Sequence, residues 1–112
     1  MDELLVERVL RAVECIPPGR VASYGMIASL VGTGPRQVGA IMSRHGSAVA
    51  WWRVPTHDGR LPTPSMAEAR RRWTEEGTPI RPDGTRCDYR ASVVDIDTYA
   101  AAVKAALADL PL

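Results

Sequence analysis

"SYGMIASLVGTGPRQVGAIMSRHG", residues 23–46, holds two short apolar-periodic runs separated by Gly32, Thr33 and Gly34. Ser23 precedes the first run, where its oxygen can accept an unpaired N–H of a first helical turn. Gly32 stands where a helix end needs a left-handed residue. Pro35 opens the second run, at the position where its missing N–H is no loss, and Gly46 is expected to stop it. Two helices joined by so short a turn form a helix-turn-helix candidate. In the second helix Val38, Ile41, Met42 and His45 share a face and are expected to pack inward.

The opposite face carries Arg36, Gly39, Ala40 and Ser43: one long cation at the helix start, then small residues. A reader of the major groove needs several long polar side chains to match successive base edges, and this face has too few. The minor groove is only about 6 Å wide, and a nearly flat helix surface can approach it. Arg36 would then enter the base stack from the helix tip. The competing reading is close helix-to-helix packing through the small residues with Arg36 solvated, and the pattern alone leaves both open.

Working outward, Leu5, Val6, Val9, Leu10, Val13 and Ile16 fall at helical spacing behind Asp2 as N-cap, and Pro17, Pro18 and Gly19 end that helix. Downstream, "AVAWWRVPTHDG", residues 48–59, reads as an extended segment and a turn, which would send Trp51 and Trp52 to opposite faces. Residues 65–76 read as a helix with Ser65 and Glu68 as a capping box and Met66, Ala69 and Trp73 as the apolar stripe. Residues 77–95 read as irregular. A last helix from about Asp97 places Ile96, Tyr99, Val103, Ala106 and Leu110 on one face. These elements make a mainly α, small single domain with a helix-turn-helix candidate.

The 112 residues fit one domain. The formal charge of +1 conceals an uneven distribution. Residues 36–72 carry seven arginines against Asp58 and Glu68, while the flanking segments are net acidic. A basic middle third points to a polyanionic partner, or to a solvated arginine-rich surface. Cys15 and Cys87 are too few and too distant for a disulfide scaffold or a CxxC site, and with two histidines they give no metal ligand set. His57 and Asp58 adjoin in a turn rather than in a triad. The charged N-terminus is no signal peptide and no apolar run approaches a membrane span, so the expected location is cytoplasmic, with the nucleoid if bacterial.

"IPPGRVASYGMIASLVG" followed by "PRQVGAIM", with a later Glu76-Gly77 pair, resembles the C-terminal domain of the O6-alkylguanine-DNA alkyltransferases over about residues 4–80. The resemblance implies a mainly α fold with a helix-turn-helix (winged-helix-like) DNA-binding core over residues 1–82, followed by an extension, 83–112, whose helix packs on it. It implies that Tyr24 presses on the target phosphate, that Arg36 is the intercalating finger, and that Gln37, Gly39, Ala40, Ser43 and Arg44 face DNA. The family's PCHRV signature corresponds here to "AWWRV", with Ala50 for proline, Trp51 for the acceptor cysteine and Trp52 for the histidine. An indole cannot replace a thiolate nucleophile.

The chain therefore resembles the alkyltransferase-like subgroup, which binds O6-alkylguanine in duplex DNA, flips it, transfers nothing and hands the lesion to nucleotide excision repair. By that resemblance the protein is a monomer without cofactor, metal or catalytic residue. Its lesion pocket would be lined by Tyr24, Trp51, Trp52, Val54, Thr63 and Ser65, with Pro62 in the lid. The base would rest against Trp51, a contact worth about 1–3 kcal/mol. The resemblance leaves Glu76 without its histidine partner, with an ion pair to a nearby arginine as its other role. It gives Arg53 a structural place and sets His45 where the family carries asparagine. Two other classes compete: a divergent alkyltransferase using Cys15 or Cys87, and a helix-turn-helix regulator of the major groove.

Overall fold

A computed structural model describes residues 2–111. Six helices follow one another: α1 (Glu3–Glu14), α2 (Tyr24–Val31), α3 (Pro35–His45), α4 (Met66–Glu76), α5 (Tyr89–Ser92) and α6 (Ile96–Ala106), with 3-10 turns at Gly46–Ala48 and Trp51–Arg53. The architecture is mainly helical. Its β pairing among the described residues is confined to isolated bridges, Val21 with Val93 and Ile80 with Cys87.

Local chemistry sets the helix boundaries around the helix-turn-helix. Asp2 accepts the backbone N–H groups of Leu4 and Leu5 and starts α1. Ser23 accepts that of Met26 and starts α2. Gly32 closes α2 in the left-handed region at φ 82°, and Pro35 occupies the first turn of α3. Helices α1, α2 and α3 pack against one another, and α6 packs across α1 and α2. Val9, Ala12, Val13, Ile27, Val38, Ile41, Tyr99 and Val103 form the shared core. A second, smaller cluster gathers Trp73 of α4 with Val21 and Cys87.

Four local expectations are corrected. Gly46 ends α3 as expected, in right-handed helical geometry, φ −66°, and carries the chain into the next 3-10 turn. It is buried against Met42, so backbone takes the inward place expected for His45, which is exposed. Trp51 and Trp52 sit in a 3-10 turn rather than an extended segment. Their rings therefore meet edge to face, 5.7 Å apart at 83°, instead of pointing to opposite faces. Ser65 makes no side-chain cap to α4; Thr63 Oγ1 accepts its N–H, and Glu68 turns toward Arg71 and Arg72. Helix α6 begins at Ile96 behind the Asp95 cap, and Ile96, expected on the apolar face, is exposed at the helix tip.

Candidate nucleic-acid interface

The site begins on α3. Pro35 starts the helix, and the inward pull of Val38 and Ile41, both buried, turns Arg36, Ala40, Ser43 and Arg44 to solvent. Arg36 and Arg44 enter no ion pair among the described residues. A Cβ built at Gly39 would meet nothing within 4 Å. The small stripe of α3 is thus an outer surface and not a packing seam within this chain. Gln37 is exposed, and its carboxamide reaches back beside Gly34.

Beside this face lies a cavity of about 580 Å³. Tyr24, the first residue of α2, and Gly39, Met42 and Ser43 of α3 line one side. Trp51 lines another from its 3-10 turn, and Leu61, Pro62, Thr63, Pro64 and Ser65 form the rim, closed by Glu68 in the first turn of α4. Burial pushes the Tyr24 hydroxyl above its ordinary value, so at neutral pH it keeps its proton and can donate a hydrogen bond. Of the residues expected at the pocket, Tyr24, Trp51, Thr63 and Ser65 line this cavity. Trp52 and Val54 do not. Val54 is 1 % exposed and belongs to the main core.

Trp52 supports the site from behind. Its indole N–H donates to Glu76 Oε1 at 3.0 Å, its carbonyl accepts the Trp73 indole N–H at 2.8 Å, and the Arg72 guanidinium lies 4.6 Å from its ring centroid. Glu76 therefore does not lose its partner, contrary to expectation, because an indole supplies the N–H donor that a histidine ring would supply. Arg53 pairs with the same carboxylate, Nη2 to Oε1 at 2.6 Å, and donates to the Ile16 carbonyl at 2.8 Å. The Gly19 N–H donates to Oε2 at 3.2 Å. Burial alone would raise the Glu76 carboxyl, but the bonds from Arg53, Trp52 and Gly19 outweigh it and hold the group below its ordinary value.

Neither cysteine lines the cavity. Cys87 is buried, and its thiol is pushed up to about 11 by desolvation. Cys15 is half-buried at the end of α1, with its Sγ 3.7 Å from the Ala102 carbonyl and its thiol also raised by burial. No group of three or more potential metal ligands occurs among the described residues. No helix among them is long and apolar enough to cross a membrane.

Sequence reasoning missed Met42, expected inside, and Glu68, expected as a cap. In both cases the spacing that placed them on a helix face was visible, but the cavity they border is made by a distant loop.

Residues 5–78 match the family described as 6-O-methylguanine DNA methyltransferase, DNA binding domain. The chain is also 34% identical over 89 residues to a DNA base-flipping protein of Escherichia coli (strain K12), an alignment covering 74% of this chain and 69% of that protein. A DNA base-flipping protein of Shigella flexneri matches equally over the same shares. An exposed small-residue helix, a neighbouring cavity and a family match over the whole helix-turn-helix lead to one conclusion: the chain belongs to the 6-O-methylguanine DNA methyltransferase DNA-binding-domain family.

Proposed function

We propose that the protein is a non-enzymatic sensor of O6-alkylguanine in duplex DNA. Helix α3 approaches through the minor groove, Arg36 fills the gap left in the stack, and the everted base enters the cavity against Trp51. The lesion stays chemically intact and passes to nucleotide excision repair proteins, with the sensor acting as a monomer. The observation that carries this reading is the cavity itself: it adjoins the exposed face of α3 and is walled by an indole, while both thiols lie elsewhere. The relatives' name, DNA base-flipping protein, supports eversion as the mode of binding. Stacking on an aromatic wall, about 1–3 kcal/mol per base, is comparable with the cost of unstacking a damaged nucleotide.

Fluorescence anisotropy tests the proposal. A duplex with one O6-methylguanine should bind more tightly than its unmodified counterpart at matched salt. Arg36→Ala and Trp51→Ala should each weaken lesion binding by about tenfold or more while leaving the fold intact. Equal affinity for both duplexes would refute the reading. The transfer alternative predicts a methyl-for-hydrogen mass gain on Cys15 or Cys87 after incubation with methylated DNA, and the protein mass is expected to stay unchanged.

A further inference from the structure

The cavity contains a charge that a DNA-binding pocket does not ordinarily favour. Tyr24, Ser43, Thr63 and Ser65 bring hydroxyls and Trp51 an apolar wall, whereas Glu68 brings the one charged side chain among the described residues that line it. An ionised carboxylate is an acceptor only. Beside DNA it repels phosphate, and it gains nothing from a base edge that presents acceptors. It gains from an occupant that offers an N–H donor.

Among the described residues that carboxylate has two ion-pair neighbours on Oε2 but accepts no side-chain hydrogen bond. The cationic neighbours of Glu68 are Arg72 Nε at 3.7 Å and Arg71 Nη2 at 3.9 Å, both beyond hydrogen-bond distance, and its side chain is 41% exposed. Arg72 also lies over the face of Trp52. Glu68 occupies the first turn of α4, where the helix dipole favours a negative charge.

We infer that Glu68 determines specificity in the cavity by accepting a hydrogen bond from an exocyclic amine of the everted base. The inference rests on the reading that a base occupies this cavity. O6-alkylation turns N1 of guanine from donor into acceptor and leaves the 2-amino group as the donor on that edge. A charge-assisted bond from that amine to Glu68 is of the stronger kind, and a site built around such a bond rejects an analogue that lacks the donor.

Three duplexes that differ in one central base test this: O6-methylguanine, O6-methylhypoxanthine, which lacks the amine, and unmodified guanine. Affinities are compared as ratios at one salt concentration, because removing Glu68 also strengthens non-specific attraction. The native protein should prefer O6-methylguanine over O6-methylhypoxanthine by about tenfold. Glu68→Ala should bring that ratio close to unity, and Glu68→Gln, which keeps a neutral acceptor, should fall between. Binding of each variant to the unmodified duplex reports that it is folded. Equal binding of the two adducts, both above the unmodified duplex, would overturn the role of Glu68 and leave base eversion standing. Equal binding of all three would overturn both, and a ratio that survives Glu68→Ala would overturn the role of Glu68 alone.

Discussion

Glu76 accepts from Trp52, Arg53 and Gly19 at once, so a single carboxylate ties α4, the tryptophan turn and the loop after α1 together. With side chains 15% and 12% exposed, the Arg53–Glu76 pair is largely removed from water. Taking away one partner of such a pair leaves the other uncompensated. Glu76→Gln should therefore destabilise the protein by about 3 kcal/mol in urea unfolding. The pH dependence follows from the direction of the shift. The folded carboxyl lies below its ordinary 4.5, so the stabilisation is complete above that pH and is lost as pH falls through the lower folded value. The native protein should lose stability on acidification below about pH 4.5 more steeply than Glu76→Gln, measured as unfolding midpoints over a pH series.

Among the elements, α3 separates stability from binding most clearly. Gly39 has helical geometry and open space beyond its missing Cβ. Gly39→Ala should raise stability by about 0.5–1 kcal/mol in thermal unfolding, since glycine costs that much in a helix interior. Gly39→Leu should also fold, yet its bulk on the flat face should block the minor groove and lower affinity for lesion-containing DNA. Loss of folding in Gly39→Leu would show that the face is packed after all. The turn beyond the tryptophans behaves oppositely. Gly59 has φ 89°, and a Cβ there would collide with the Cys87 carbonyl, so Gly59→Ala should destabilise the protein markedly.

For the whole molecule, the residues beyond the family match are joined to the core rather than appended to it. Tyr99 donates to the Ala12 carbonyl at 2.6 Å within the interior, and Val103 shares the cluster of Val9 and Val13. Arg11 holds the chain end through the Ala106 carbonyl and Asp109. Tyr99→Phe should cost about 1 kcal/mol by unfolding. Deleting residues 95–112 would uncover the α1 face, and circular dichroism should show loss of the cooperative fold.

The amino-acid sequence by itself determined the helix starts at Asp2, Ser23 and Pro35 and the stop at Gly32, because each depends on a hydrogen bond or dihedral preference within a few residues. It also displayed the small, cation-tipped face of α3. Tertiary structure decided whether that face was a seam or a surface, since only the placement of α1, α2 and α6 leaves Gly39 open. It decided, too, that Trp51 borders a cavity while Trp52 braces Glu76, and that Glu68 lines the cavity instead of capping a helix. Those outcomes arise from contacts between groups more than twenty residues apart, such as Trp52 with Glu76, which no local pattern encodes.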